Sequence, residues 1–154
     1  MAKQLKLRIV TPERLVLEEM VDQVSLPTTL GEITVLPDHI PLITGLASGD
    51  IVALTGGDQI PFAVVGGFLE VKQGLPAVAG EKGITEVAVL ADFAEHVGEM
   101  SEEKIEQAKK KAEEMKKKME NKETVDFEHF ETELERSLTR VKIADKWRTK
   151  KYRK

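Results

Sequence analysis

The distribution of glycine and proline is the strongest constraint on how this chain can fold. All eleven glycines and six prolines lie within the first 98 of the 154 residues. Both residue types interrupt helices, so long uninterrupted helices are favoured only after that point. The sequence therefore predicts two unlike parts, a domain over residues 1–92 and a tail over residues 93–154.

The first part has the pattern of short β-strands. Leu5, Leu7 and Ile9 alternate with charged residues, which is typical of a strand that is buried on one face. Residues 56–58, Gly-Gly-Asp, indicate a hairpin turn, and residues 73–83 are expected to form a long exposed loop. No helical period interrupts these strands, so we expect an antiparallel β-sandwich or barrel rather than a parallel α/β sheet.

The tail is predicted to form two helices. Ser101 is a suitable N-cap, and acidic residues follow it where the helix dipole favours negative charge. A break at residues 121–124 is short enough for the two helices to form an antiparallel hairpin. Two apolar stripes support this prediction, Ile105, Ala108, Ala112, Met115 and Met119 in the first helix and Phe127, Phe130, Leu134, Leu138 and Val141 in the second.

The seam of the first helix is thin because two of its five apolar residues are alanines, which bury little surface. Helices of this length are marginally stable alone in water. We therefore expect the hairpin to be the less stable part of the molecule. It should be able to leave the β domain without unfolding that domain.

Charge is distributed unevenly. Residues 1–100 contain 6 Lys and Arg against 14 Asp and Glu, whereas residues 136–154 contain 9 against 1. This basic end either solubilises a frayed terminus or docks on an acidic surface. An acidic protein is the favoured partner, because the acidic body of the molecule would repel nucleic acid phosphates.

The residues that usually carry catalysis are not in place. The chain has no cysteine, and His39, His96 and His129 show no metal-ligand spacing. Neither a phosphate-binding loop nor a nucleophile elbow occurs. We expect no enzyme activity, no metal and no cofactor. The chain starts without the apolar core of a signal peptide and has no apolar run of ~20 residues, so we expect any membrane role to depend on a partner.

A series of short motifs resembles one protein family, the epsilon subunits of bacterial F-type ATP synthase. The motifs occur in order and are Thr11-Pro12-Glu13, Val24-Ser25-Leu26-Pro27, Gly31-Glu32, Val35-Leu36-Pro37-Asp38-His39-Ile40-Pro41-Leu42, Val64-Val65-Gly66-Gly67-Phe68-Leu69-Glu70-Val71 and Leu90-Ala91-Asp92-Phe93-Ala94-Glu95. The resemblance implies an antiparallel β-sandwich of about ten strands followed by an antiparallel two-helix hairpin. It also implies a non-catalytic central-stalk subunit that turns with the rotor and couples ion flow to ATP synthesis.

The resemblance also implies partners and site residues. The partners are the gamma subunit, the c subunits of the membrane rotor ring and, through the tail, the alpha and beta catalytic subunits. No nucleic acid and no direct membrane insertion are expected, and the location is the cytoplasmic face of the bacterial cell membrane. Gly31, Glu32, Asp38 and His39 would face the rotor ring. The residues of the tail that would contact the acidic beta subunit and thereby inhibit ATP hydrolysis are Arg136, Arg140, Lys142 and Lys146.

Two stretches depart from the family pattern. Some members bind ATP through an (Ile/Leu)-Asp-x-x-Arg-Ala motif, and residues 100–105 here replace its Asp, Arg and Ala. Lys104 keeps the charge without the planar fork of arginine, so we expect no tight nucleotide binding. The connection over residues 72–85 is longer than the usual short turn. The alternative to this family is a β-sandwich adaptor whose basic tail binds an anionic surface or nucleic acid.

Overall fold

A computed structural model describes residues 3–121 and 127–154. Within these residues, eight strands are followed by a 3₁₀ turn and two helices. Their bounds are β1 Leu5–Val10, β2 Leu15–Val21, β3 Gln23–Thr28, β4 Gly31–Val35, β5 Leu42–Gly45, β6 Gly49–Thr55, β7 Asp58–Gln73, β8 Thr85–His96, the 3₁₀ turn Val97–Glu99, α1 Glu102–Glu120 and α2 Phe127–Trp147.

The strands form one continuous sheet in the order β2-β1-β8-β7-β6-β3-β4, and β5 pairs with β7. Folded over on itself, this sheet gives the predicted β-sandwich, with the helical hairpin after it. All pairs among the described strands are antiparallel except β1 with β8, which is parallel. The expected hairpin at residues 56–58 joins β6 to β7, and residues 74–84 form the expected exposed loop.

Strand β7 explains why the described residues form eight strands where the resemblance implies about ten. It runs unbroken for 16 residues, pairing with β6 through residue 64 and with β5 from Phe68 onward. The change of partner occurs at Gly66 and Gly67, whose φ angles are 59° and 107°. Strand β8 pairs with residues 62–73 of β7 and ends at His96. The predicted boundary between the two parts, at residue 92, stays a prediction.

The core of the sandwich forms from the alternation seen in the sequence. Leu5, Leu7 and Ile9 are fully buried. The larger buried side chains that join them from the other strands include Leu26, Ile51, Phe62 and Leu69. Burying apolar area of this kind is the main favourable contribution to folding.

The tail forms the predicted antiparallel hairpin. Ser101 Oγ accepts a hydrogen bond from the backbone N–H of Lys104 at 3.2 Å, as an N-cap should. Lys111 of α1 pairs with Glu133 at 2.6 Å, and Arg148 reaches Glu102 at 3.6 Å. Because the start of α1 thus meets the end of α2, the two helices run in opposite directions. The break expected at 121–124 lies mostly outside the described residues.

The apolar stripes were predicted only in part. Ile105, Ala108 and Ala112 are buried, but Met119 is 46% exposed. In α2, Leu138 is 40% exposed, and Phe127 lies outside the described side chains. The residues of α2 that are buried are Phe130, Ser137, Thr139, Ile143, Ala144 and Trp147. The prediction of a single stripe was wrong because α2 packs on two partners, α1 and the sandwich.

Replacing Gly67 by Ala should destabilise the β domain by at least about 3 kcal/mol. A Cβ there would lie 2.0 Å from the carbonyl oxygen of Leu90, and φ is left-handed. Gly57→Ala is the matched control. It shares a positive φ but meets nothing within 4 Å, so it should cost only about 1–2 kcal/mol. Urea unfolding measures both free energies, and equal losses would contradict the packing described for Gly67.

Candidate functional site

The tail is docked on the β domain through a small apolar contact. Ile143 and Trp147 of α2 pack against Ala63 of β7 and Val97 of the 3₁₀ turn. Trp147 is only 2% exposed, although it lies near the end of the chain. A buried tryptophan contributes more contact area than other side chains, so Trp147 anchors α2.

Glu95 of β8 is the centre of the polar contacts around this anchor. Its carboxylate is buried, and it pairs with Arg140 of α2 at 2.8 Å and with Lys104 of α1 at 3.3 Å. Arg140 and Arg136 also lie over the ring of Phe93, with guanidinium carbons 4.7 and 5.7 Å from its centre. One acidic side chain of the sandwich therefore holds both helices.

Asp50, at the start of β6, provides a second acidic contact. It accepts a hydrogen bond from Trp147 Nε1 at 2.8 Å and forms an ion pair with Lys146 at 2.8 Å. The indole N–H is thereby satisfied where the ring is buried, as burial requires. Asp50 thus fixes the orientation of the anchor residue itself.

The last residues of the chain fold back onto the sandwich beyond α2. Arg153 donates two hydrogen bonds to Glu19 of β2, at 2.8 and 2.6 Å. Its backbone N–H also donates to the carbonyl of Gln59 at 2.8 Å. The hydrogen bond from Arg153 lowers the pKa of Glu19, and the same contact raises the pKa of the guanidinium. The contact between Arg153 and Glu19 was not predicted from sequence, because the composition of a basic terminus does not show which acidic residue it contacts.

Three of the four cations predicted to contact a partner face this chain's own β domain. Arg136 reaches the carbonyl oxygen of Asp92 at 3.4 Å, in addition to the ion pairs of Arg140 and Lys146. Lys142 is exposed. The charge complementarity inferred from the sequence thus operates within the molecule. Contact with a beta subunit stays a prediction.

The four residues predicted to face a rotor ring fall into two separate pairs. Gly31 and Glu32 open β4, whereas Asp38 and His39 lie in the turn that follows it. A five-residue strand spans roughly 17 Å at ~3.3 Å per residue, so β4 holds the two pairs apart. The structure does not unite them in one loop cluster, and their interface role stays a prediction.

The turn of Asp38 and His39 is held rigidly. Asp38 has a φ of 68°, and its backbone N–H donates to Thr85 Oγ1 at 2.7 Å. Gln73 donates to the carbonyl of His39 at 3.1 Å. The hydrogen bond from Lys3, at 2.6 Å, lowers the pKa of Asp38. Both ends of the exposed 74–84 loop are therefore tied to this turn.

An exposed apolar row crosses the outer face of the sheet. Phe68 pairs with Leu90, Leu90 with Val10 and Val10 with Leu15, so these side chains lie side by side on four strands. Phe68, Leu90 and Leu15 are each more than half exposed. Contiguous exposed apolar residues mark contact surfaces in soluble proteins. This row could not be predicted from sequence, because its residues become neighbours only through the register of four strands.

Within residues 3–121 and 127–154, no group of three or more His, Cys, Asp or Glu side chains is placed to hold a metal ion. Over the same ranges no helix is long and apolar enough to cross a membrane. The ring of His39 bonds the carbonyl of Ile40 at 2.7 Å.

Comparisons with known proteins agree with this architecture. Residues 4–97 match the family model described as ATP synthase, Delta/Epsilon chain, beta-sandwich domain. The ATP synthase epsilon chain of Syntrophobacter fumaroxidans is 37% identical over 146 residues, covering 95% of this chain and 99% of that one. The ATP synthase epsilon chain of Desulforamulus reducens is 35% identical over 94% of this chain and 100% of its own length.

A chain in the cryo-EM structure of Euglena gracilis mitochondrial ATP synthase (OSCP/F1/c-ring in rotational state 1) has the same fold. Its TM-score is 0.63 at 24% identity, and the match covers 86% of this chain and 76% of that one. At this identity the likeness supports the fold alone.

This β-sandwich with a docked helical hairpin matches ATP synthase epsilon chains over most of its length, and so falls in the class of accessory subunits of a larger complex. The chain belongs to the ATP synthase delta/epsilon chain family. The resemblance stated from the sequence motifs is thereby confirmed, as is the prediction of a non-catalytic subunit of the ATP synthase complex.

Replacing Trp147 by Ala should release α2 from the sandwich, because a large buried side chain and its bond to Asp50 are lost together. Such truncations cost about 3–5 kcal/mol in well-packed sites. Limited trypsin digestion should then cut the Lys-rich tail at least tenfold faster while the β domain stays intact. Met119→Ala, on a half-exposed residue, is the control. Equal cleavage rates in both variants would show that Trp147 is not the anchor.

Proposed function

We propose that this chain is a central-stalk rotor subunit of an F-type ATP synthase, and that its tail inhibits ATP hydrolysis. Its β domain would couple rotation driven by ion flow to ATP synthesis. Its location would be peripheral, on the cytoplasmic face of a bacterial cell membrane. Family membership and the match over nearly whole relatives support the stalk role.

The docked tail is the observation that carries the inhibitory role. It rests on one buried tryptophan and on ion pairs whose cationic partners are partly exposed. The carboxylates of Glu95 and Asp50 are buried only while the tail is docked, and its release would return both to water. The net contribution of these ion pairs is therefore modest, so a competing acidic surface can replace them. Acidic residues of a beta subunit would supply that surface for Arg136, Arg140, Lys142 and Lys146. A modest difference in affinity would then shift the tail from docked to extended.

The alternative of an adaptor for nucleic acid or an anionic membrane is less well supported. The three tail cations that meet the sandwich most closely, Arg140, Lys146 and Arg153, already bind its carboxylates. An anionic polymer would have to displace acidic groups that remain beside it. An acidic protein partner can instead replace each carboxylate of the sandwich by one of its own.

The exposed surfaces of the β domain are assigned to the other stalk partners. The apolar row of Val10, Leu15, Phe68 and Leu90 is suited to a stable contact, and we assign it to the gamma subunit. The two polar pairs, Gly31 with Glu32 and Asp38 with His39, are assigned to the polar loops of the c-ring. Lys104, which would have to serve a nucleotide, is instead bound to Glu95, and no nucleotide is part of the proposal.

Removing residues 101–154 from the assembled complex should raise ATP hydrolysis several-fold. The β domain keeps its core and its partner surfaces, so assembly should persist. The measurement is the ATPase rate of purified complex at equal subunit content. An unchanged rate in a fully assembled complex would rule out the inhibitory role and leave the stalk role standing.

Phe68→Asp should weaken binding to the gamma subunit by at least about tenfold, which corresponds to 1.4 kcal/mol. The change puts a charge at one end of the apolar row, where Phe68 is 64% exposed and lies beside Leu90. Leu75→Asp is the matched control, because Leu75 is 96% exposed in the 74–84 loop, away from the row. Co-purification with gamma measures both. Equal retention of the two variants would place the gamma contact elsewhere.

A further inference from the structure

His96 lies where three parts of the molecule meet. It is the last residue of β8 and pairs with Phe62 of β7. Its ring is roughly perpendicular to the Phe62 ring, with centres 5.1 Å apart, and its centre lies 6.3 Å from that of the Tyr152 ring. Tyr152 in turn packs on Trp147 at 5.9 Å. One half-buried imidazole therefore joins the sandwich to the C-terminal segment and, through it, to the anchor of α2.

The hydrogen bond of this ring requires its neutral form. His96 Nδ1 accepts from the backbone N–H of Gly98 at 2.9 Å, which caps the 3₁₀ turn that leads into the tail. A protonated imidazole donates from both nitrogens and cannot accept. Protonation would therefore turn this contact into a repulsion between two donors, at the point where the tail leaves β8.

The charged groups around His96 leave the cation only partly compensated. Glu99 of the 3₁₀ turn favours the protonated ring of His96, but Glu99 is exposed and already pairs with Arg14 at 3.0 Å. The positive charge of Arg153 disfavours the protonated ring, whereas a hydrogen bond with the backbone of Arg153 favours it. The other charged or titratable groups on the packed elements are two paired carboxylates, the phenol of Tyr152 and Lys154. The carboxylates are Glu19, which pairs with Arg153, and Glu95, which pairs with Arg140 and Lys104.

Burial is the largest of these effects, and it lowers the pKa of His96 from its ordinary value of 6.5. The docked state therefore holds its proton more weakly than a released state, in which the ring is solvated. It follows that docking is fully favoured above pH 6.5 and is weakened as the pH falls through this range. The carboxylate of Glu19 does not titrate there, because Arg153 lowers its pKa below 4.5.

We propose that His96 is a pH-sensitive latch whose protonation loosens Tyr152 and Arg153 from the sandwich and so favours release of the tail. The latch belongs to the isolated chain and does not depend on the proposed function. Its effect on ATP hydrolysis does rest on that function, since only a tail that inhibits can pass the signal on. Acidification would then favour the extended, inhibitory state.

Trp147 is a built-in probe for this latch, because it is the only tryptophan and is buried when docked. In the full chain, the fraction of molecules with solvated Trp147 fluorescence should rise between about twofold and tenfold from pH 7.5 to 5.5, reversibly. His96→Gln should abolish this change. His129→Gln, on an exposed residue of α2, should keep it. A wild-type chain without the change, or a His96→Gln chain that keeps it, would overturn the proposal.

Should His96→Gln release the tail at every pH, NMR titration of the His96 ring decides instead. In the full chain its pKa should lie below 6.5, and Tyr152→Ala should move it back toward 6.5 by exposing the ring. A ring titration that Tyr152→Ala leaves unchanged would overturn the latch. If the isolated chain responds to pH but hydrolysis by the assembled complex does not, the latch stands and the inhibitory tail fails.

Discussion

Strand β7 is the element on which the rest of the molecule depends. Its first half pairs with β6, part of its second half with β5, and residues 62–73 with β8. The bend at Gly66 and Gly67 allows one strand to serve all three, since a Cβ at Gly67 would collide with the backbone of β8. The same strand places Ala63 beneath α2. The position of the tail is therefore set by the backbone that builds the sandwich.

The contacts between the tail and the sandwich are weaker than the contacts within the sandwich. The sandwich has a continuous core of buried apolar residues. The tail contributes one anchor, Trp147, surrounded by ion pairs to Glu95, Asp50 and Glu19. Charge pairs at a partly solvated surface add specificity and little net stability. Such an interface defines one docked position and still allows release, as the proposed inhibitory role requires.

Much of the architecture could be predicted from sequence, because its signals are local. The strand at Leu5–Val10, the hairpin at residues 56–58 and the N-cap at Ser101 each depend on a few neighbouring residues. The buried face of α2 could not be predicted, because a helix with two partners shows no single stripe. Ser137 and Thr139 are buried there although their side chains are polar.

The candidate sites were predictable only as sets of residue types. The basic end was identified from its composition, but its pairing with Glu95, Asp50 and Glu19 depends on contacts between residues far apart in the chain. The apolar row needs the register of four strands. His96 carried no signal at all, since its importance comes from Phe62, Gly98 and Tyr152 around it.

The contacts between tail and sandwich imply that the tail can leave a β domain that remains folded. Native-state hydrogen exchange of the full chain tests it most directly, because it measures the opening free energy of each element separately. We expect the amides of α1 and α2 to open together, at a free energy several kcal/mol below that of β7 and β8. Exchange of α2 and β7 at one common free energy would contradict it, because tail and sandwich would then unfold only as a unit.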